Sequence, residues 1–167
     1  MMQTDVKSGH LNNSGFVVLG RNRLKAVSMV GTATAGTLDI FDTTTAPVAA
    51  TYERAATLII VTKSAHGLVT GDLVGLTFAT ASGTSGTNGN YTITRTGANT
   101  FTVTDINSGT IAAGTVAAYA PLWLASYDIG AGDGFGNFAL IPGEGILVKN
   151  GIYLSMSNLI SANIYYG

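Results

Sequence analysis

A histidine, a carboxylate and a hydroxyl stand close together at one place in this sequence, His66-Gly67-Leu68-Val69-Thr70-Gly71-Asp72. An imidazole near Asp72 and Thr70 is the raw material of nucleophilic catalysis. A triad also needs an activated nucleophile and an oxyanion site, and no motif for either accompanies these residues. Gly67 and Gly71-Asp72 are turn residues, so the expectation is a loop in which His66 caps backbone groups. His10, in a polar N-terminal stretch, carries no comparable signal.

Asp128, Asp133 and Asn137, within Asp-Ile-Gly-Ala-Gly-Asp-Gly-Phe-Gly-Asn, could offer oxygen ligands to Ca²⁺. Their spacing is not that of an EF-hand loop, which also ends in a Glu that is missing here. No helical pattern follows the glycines to receive a pyrophosphate, so the run fails as a dinucleotide fingerprint too and reads as a Gly-rich connection. Glu144 is a lone carboxylate at a Pro-Gly corner, without the second carboxylate that glycoside hydrolysis needs. No catalytic residue, cofactor site or metal ligand is therefore expected.

What remains is surface chemistry. Arg21, Arg23 and Lys25 are spaced by two, which places them on one side of an extended strand, either as a basic stripe for an acidic partner or as a solvated strand face. Tyr165 and Tyr166 near the end of the chain, and Trp123, are residue types enriched as interface anchors, although core packing explains Trp123 equally well. Arg21, Arg23, Lys25, Tyr165 and Tyr166 are the candidate interface residues.

The composition points the same way. Hydrophobic residues make up 46% and charged residues 10% of 167 positions, against about 25% charged in an ordinary soluble domain. Thr, Ser, Asn, Gly and Ala must then cover the surface, a neutral skin suited to packing against copies of itself or a larger assembly. A net charge of −1 with scattered Lys and Arg gives no phosphate-binding footprint, so no nucleic-acid partner is expected. Without cysteine there are no disulfides and no thiolate chemistry. No 18-residue apolar run and no signal-peptide pattern are present, so the expectation is a soluble protein made in the cytoplasm with no membrane partner.

Helical spacing is absent, and short β-branched runs alternate with Gly-, Asn- and Thr-rich turns, so the fold expected is all-β. The first 15 residues read as a polar arm. Strands are expected at Phe16–Leu19, Leu24–Val30, Thr37–Asp42, Ala56–Thr62 and Leu73–Phe78. Tyr91–Thr94 and Thr100–Thr104 read as a hairpin, Asp105–Gly109 as a turn, and Ile111–Tyr119 as a closing strand. Pro142, Gly143 and Gly145 mark a tight corner, and Asn150-Gly151 reads as the type I′ turn of a hairpin joining Ile146–Val148 to Ile152–Leu154. The texture changes near Arg54 and again near Pro121. The organisation expected is an antiparallel, jelly-roll-like β-sandwich formed by the two ends, 1–54 with 121–167, interrupted by a small inserted β-barrel or sandwich at 55–120. An insertion at a hairpin tip is tolerated when its own ends lie close together.

The outer segments Met2 to Lys7, Gly20 to Lys25, Ile141 to Ile146 and Ser157 to Gly167 resemble small all-β structural proteins of tailed bacteriophages. The inner pattern His66-Gly67-Leu68, Gly71-Asp72-Leu73-Val74, Asn88 to Ile93 and Asn99 to Val103 is similar to β modules repeated in phage head and tail proteins. The resemblance implies a virion component and carries over no catalytic residue. The leading expectation is a capsid decoration (cement) protein, a homotrimer on the outer shell bound to the major capsid protein. A tail or head-to-tail component and a carbohydrate-binding host-attachment module, with Trp123 or Tyr91 stacking on sugar, are the alternatives.

Overall fold

Among the described residues the chain forms fourteen strands and no helix. The computed structural model describes residues 6–79, 83–132 and 136–167. In chain order the strands are β1 (Lys7–Leu11), β2 (Gly15–Leu19), β3 (Asn22–Gly31), β4 (Gly36–Asp42), β5 (Val48–Thr62), β6 (Leu73–Phe78), β7 (Gly89–Thr92), β8 (Thr94–Arg95), β9 (Thr100–Ala120), β10 (Trp123–Ile129), β11 (Asn137–Leu140), β12 (Ile146–Val148), β13 (Gly151–Ser157) and β14 (Leu159–Tyr166). Contacts divide them into two units, one from the chain ends up to Ala46 and from Leu124, the other Pro47–Trp123. The boundaries anticipated at 54/55 and 120/121 shift outward because β5 starts at Val48 and runs without a break through Arg54.

In the first unit β11 and β12 both lie along β3, one beside Ala26–Met29 and the other beside Asn22–Leu24, so together they act as one strand interrupted by the Pro-Gly corner. Counted that way, the unit has eight strands, ordered 1-8-3-6 in one sheet and 5-4-7-2 in the other. This is the jelly-roll order. Each successive strand changes sheet except the fourth and fifth, β4 and β10, which are neighbours in one sheet. The second unit is inserted in that one hairpin connection. Alternation decides what goes inside: Val27, Met29, Ala162 and Ile164 of one sheet meet Leu38, Ile40, Ile152 and Leu154 of the other in a common buried cluster.

The corner follows from its residue types. Gly143 and Gly145 have φ of +68° and +77°, and a Cβ at Gly145 would lie 2.2 Å from the Leu24 carbonyl oxygen, so glycine is required there. The Asn150-Gly151 expectation is corrected. Neither residue has positive φ, and β12 and β13 are not a hairpin, because β12 pairs with β3 in one sheet and β13 with β2 and β4 in the other. The chain crosses between sheets here, and the buried Asp42 carboxylate accepts the N–H groups of Lys149 (2.9 Å), Asn150 (2.7 Å) and Gly151 (3.2 Å). A carboxylate supplies the hydrogen bonds that a second strand would otherwise supply. Gly151 is needed for close approach, since a Cβ would sit 2.9 Å from the Thr43 carbonyl oxygen.

The polar N-terminal arm is corrected in part. Residues 1–5 lie outside the described residues, but Lys7–Leu11 is an edge strand in register with β14, Lys7 opposite Tyr166 and Leu11 opposite Ala162.

In the Pro47–Trp123 unit the sheet order is β5-β9-β6-β7, with β8 also on β9. Val48 opposes Tyr119, so the entrance and exit of the module are cross-strand neighbours. Two sequence expectations change. Tyr91 belongs to β7 and opposes Val74 of β6, whereas only Thr94 and Arg95 pair with β9; the strand breaks at the buried Ile93, whose N–H and carbonyl bond to Asp72 and Gly71. Asp105–Gly109 is not a turn between strands but an irregularity inside the continuous β9, between the pairs Ala56–Gly109 and Leu58–Thr104. The core of this unit is Tyr52, Ile59, Val61, Val74, Leu76, Ile93, Phe101, Val103 and Val116 with their neighbours.

Two outcomes are expected. Asp42→Ala strands three amides and should lower the unfolding free energy by about 3 kcal/mol in urea titrations, with part recovered by Asp42→Asn. Replacing Pro47–Trp123 by a short Gly-Ser bridge should leave a cooperatively melting β protein by circular dichroism; an unfolded or aggregated product would contradict an autonomous eight-strand sandwich.

Candidate functional site

His66, Thr70 and Asp72 are all engaged with backbone groups, some in their own loop and some across to residues 95–97. Nδ1 of His66 accepts the Leu68 N–H at 3.1 Å, so the proton lies on Nε2, which donates to the Gly97 carbonyl at 3.2 Å. The ring stands edge-on to Phe101. Asp72 accepts the Val69 N–H (2.9 Å), and the Thr70 hydroxyl oxygen accepts the Arg95 N–H (3.0 Å). The three side chains stitch two loops to the sheet and do not hydrogen-bond to one another as a relay. Of the proposed Ca²⁺ ligands, Asp133 lies outside the described residues, while Asp128 accepts a hydrogen bond from Thr37 (3.3 Å). Among the described residues no three His, Cys, Asp or Glu side chains gather in a metal-binding group.

The most heavily constrained charges in the inserted module are a pair that no sequence motif marks. Arg54 and Asp105 are fully buried and form an ion pair at 2.9 Å. The guanidinium also donates to the carbonyls of Ala56 (3.2 Å), Thr84 (3.0 Å), Ser85 and Asn107 (2.5 Å). Asp105 accepts N–H groups from Thr87 (2.9 Å) and Asn107 (3.3 Å). Burial alone would raise the Asp105 carboxyl; the Thr87 and Asn107 donors and the Arg54 charge outweigh it and hold the group below its ordinary value. Beside them Tyr91 donates to the Thr87 carbonyl, and burial together with the Asp105 charge pushes its phenol up to about 12, against the pull of Arg54. The signal in the sequence was parity: Ala50, Tyr52 and Arg54 alternate on the inward side of β5, so the arginine falls at a core position.

The interface residues separate into two places. Lys25 Nζ (2.9 Å) and Arg23 Nη1 (3.4 Å) both donate to the Glu144 carbonyl, and Arg23 approaches the exposed Glu144 carboxylate at 3.8 Å. The basic residues thus clasp the Pro-Gly corner, with Arg21 exposed in the bend before β3. Tyr166 packs against the sandwich core. Tyr165 faces the other way, edge-on to Phe138 at 6.0 Å.

Around Tyr165 the register builds a continuous outer face on the β1-β14-β3-β11 sheet. One cross-strand row reads Ser8, Tyr165, Ala26, Leu140, and the next His10, Asn163, Ser28, Phe138. His10 donates to Asn163 Oδ1 (2.8 Å), and the Asn163 amide donates to Ser28 Oγ (3.3 Å), so the polar members satisfy one another along the row. Phe138 and Leu140 are 61% and 70% exposed. None of these eight side chains is an Asp, Glu, Lys or Arg. The sequence reading named Tyr165 and passed over Phe138 and Leu140, although the apolar-small-apolar order Phe138-Ala139-Leu140 was visible. No family model, curated protein or solved structure matches the chain.

Replacing either member of the buried pair alone, as in Arg54→Met or Asp105→Asn, should cost the module about 3 kcal/mol or more, since the remaining group keeps its desolvation without its partner. The Asp105 contribution is present above 3.8 and is lost as pH falls from there through the lower folded value, because the unfolded chain takes up the proton first. Acid titration of wild type against the Arg54→Met, Asp105→Asn double variant, followed by module fluorescence, should show a steeper loss in wild type.

Proposed function

We propose that this chain is a structural protein of a tailed-bacteriophage virion, a capsid decoration (cement) protein that binds the outer shell as a homotrimer through its jelly-roll unit. The observation that supports this most is the outer sheet face without Asp, Glu, Lys or Arg, where Phe138 and Leu140 stand exposed and Tyr165 half-buried beside a self-satisfied polar row. A face of this kind suits a contact held by area and shape, without charge steering, and such contacts gain by repetition over a symmetric lattice. Jelly rolls serve viral shells and lectins alike, so the surface has to discriminate. For the sugar-binding alternative the available platform is reduced, because the Tyr91 ring packs edge-on to Phe78 and its hydroxyl is spent on Thr87. Trp123 is half-buried, and its backbone is held by both ends of the Asn90 amide.

In this reading the partners are further copies of the chain and the major capsid protein, and the chain is made in the host cytoplasm and ends on the capsid surface. No cofactor and no reaction is assigned to it, and the His66 loop is structural. The test is binding of the purified protein to empty shells, together with its copy number in purified particles. A trimer in solution that saturates the shell is the expected result; a monomer that ignores shells, or a handful of copies per particle, would overturn the proposal in favour of the tail. The double variant Phe138→Asp, Leu140→Asp should melt like wild type yet bind shells at least about tenfold more weakly.

A further inference from the structure

We infer that docking through the outer sheet face is gated by His10: with a neutral imidazole the face holds the shell, and with a protonated one the contact is released. This regulates the contact proposed for that face and so rests on the decoration reading. The two rows Ser8-Tyr165-Ala26-Leu140 and His10-Asn163-Ser28-Phe138 hold no Asp, Glu, Lys or Arg. His10 is their one member able to become a cation, and imidazole is the side chain that ordinarily changes charge between about pH 5 and about pH 8.

The hydrogen bonds along the row decide which atom takes the proton. Asn163 spends its amide nitrogen on Ser28 Oγ (3.3 Å), so Oδ1 is the atom turned to His10 Nδ1, at 2.8 Å. A carbonyl oxygen only accepts, so Nδ1 carries a hydrogen in the neutral ring and in the charged ring alike. Proton uptake therefore falls on Nε2 of an exposed side chain. It changes the charge of the face and breaks no bond within it, so the sandwich does not respond while a docked partner does.

Among the described residues nothing on the neighbouring elements compensates that charge. β14 brings Asn163 and, one row on, the Tyr165 phenol; on β1 itself Ser8 shares the face, whereas Lys7 has the opposite parity and lies across from Tyr166. β3 brings Ser28 and Ala26, and β11 brings Phe138 and Leu140. The described carboxylates of this unit are elsewhere, Asp39 and Asp42 on β4 and Asp128 on β10 in the other sheet, and Glu144 at the corner beside Arg23. Covering an imidazolium with a partner matched to Phe138 and Leu140 strips its water and supplies no counter-ion, so the docked state disfavours the charged form. Affinity then falls as pH falls, by at most about tenfold per pH unit for each docked copy.

The test is binding of the full chain to empty shells at about pH 7.5 and about pH 5.5, on either side of the imidazole range. The ratio of the two affinities is the readout, because any effect of pH on the shells is common to all variants. Wild type should bind at least about fivefold more weakly at the lower pH. So should His66→Gln, the control at the other histidine, which lies in the inserted module with both ring nitrogens bonded to backbone groups. His10→Asn and His10→Gln, which keep an amide donor but cannot charge, should each give a ratio near one, and His10→Lys should bind weakly at both pH values. The substituted side chain is exposed, so the His10 variants should melt like wild type. Wild-type binding that is equal at the two pH values or tighter in acid, a pH dependence that survives in both His10 amide variants, or one that is lost in His66→Gln would overturn the inference and leave the decoration reading standing. No binding to shells at either pH would overturn both.

Discussion

The sandwich depends on one carboxylate. A jelly roll sends its chain from sheet to sheet at nearly every corner, and each crossing leaves amides that no strand can pair. At the crossing between β12 and β13 those amides belong to Lys149, Asn150 and Gly151, and Asp42 accepts all three from the end of β4. The next residue, Thr43, donates its N–H to the Gly151 carbonyl at 3.0 Å and uses its hydroxyl to turn the chain at Thr45. One short segment therefore joins β4 to β13 and ends β4. Aliphatic burial supplies most of the stabilising area in both units, but it is non-directional. The register that brings Phe138, Leu140 and Tyr165 onto one face comes from corners fixed in this way.

Much of this architecture was legible because glycine, proline and alternation act locally. Gly143 and Gly145 at the corner, the strands at Phe16–Leu19, Thr37–Asp42 and Leu73–Phe78, and the two-ended sandwich with something inserted all follow from residues within a few positions of one another. The misreadings share a cause. Asn150-Gly151 has the residues of a hairpin turn, yet what it does is set by Asp42, more than a hundred positions earlier. Tyr91 alternates with Ile93 as one strand should, but the edge of β6 captures it first. Asp105 looks like a turn residue until the Arg54 guanidinium is found beside it inside the module. Local rules state which conformations a segment tolerates; the long-range partner chooses among them.

The candidate surface was legible by half for a related reason. An outward Tyr165 can be guessed from an aromatic chain end, but a face is defined by neighbours on other strands, and the pairing of β14 with β3 and of β3 with β11 cannot be deduced from spacing. Arg23 and Lys25 show the converse. The spacing of two put Arg21 with them on one side of a strand, but Arg21 lies in the bend before β3, and the use of Arg23 and Lys25 became clear only with the Glu144 carbonyl beneath them. What low charge did convey was the kind of surface, one on which shape and apolar area do the discriminating.

The position of the module in the hairpin between β4 and β10 bears on how the chain folds. These two strands must meet across everything from Thr43 to Leu122, a span that would make their closure slow if the intervening chain were unstructured. Val48 and Tyr119 are cross-strand partners, so once the module has folded, the distance left for β4 and β10 to bridge is that of an ordinary tight connection. During synthesis the module is complete before β10 emerges. The insertion therefore works as a ready-made loop: it shortens the search for the slowest pairing in the sandwich while adding a second unit to it.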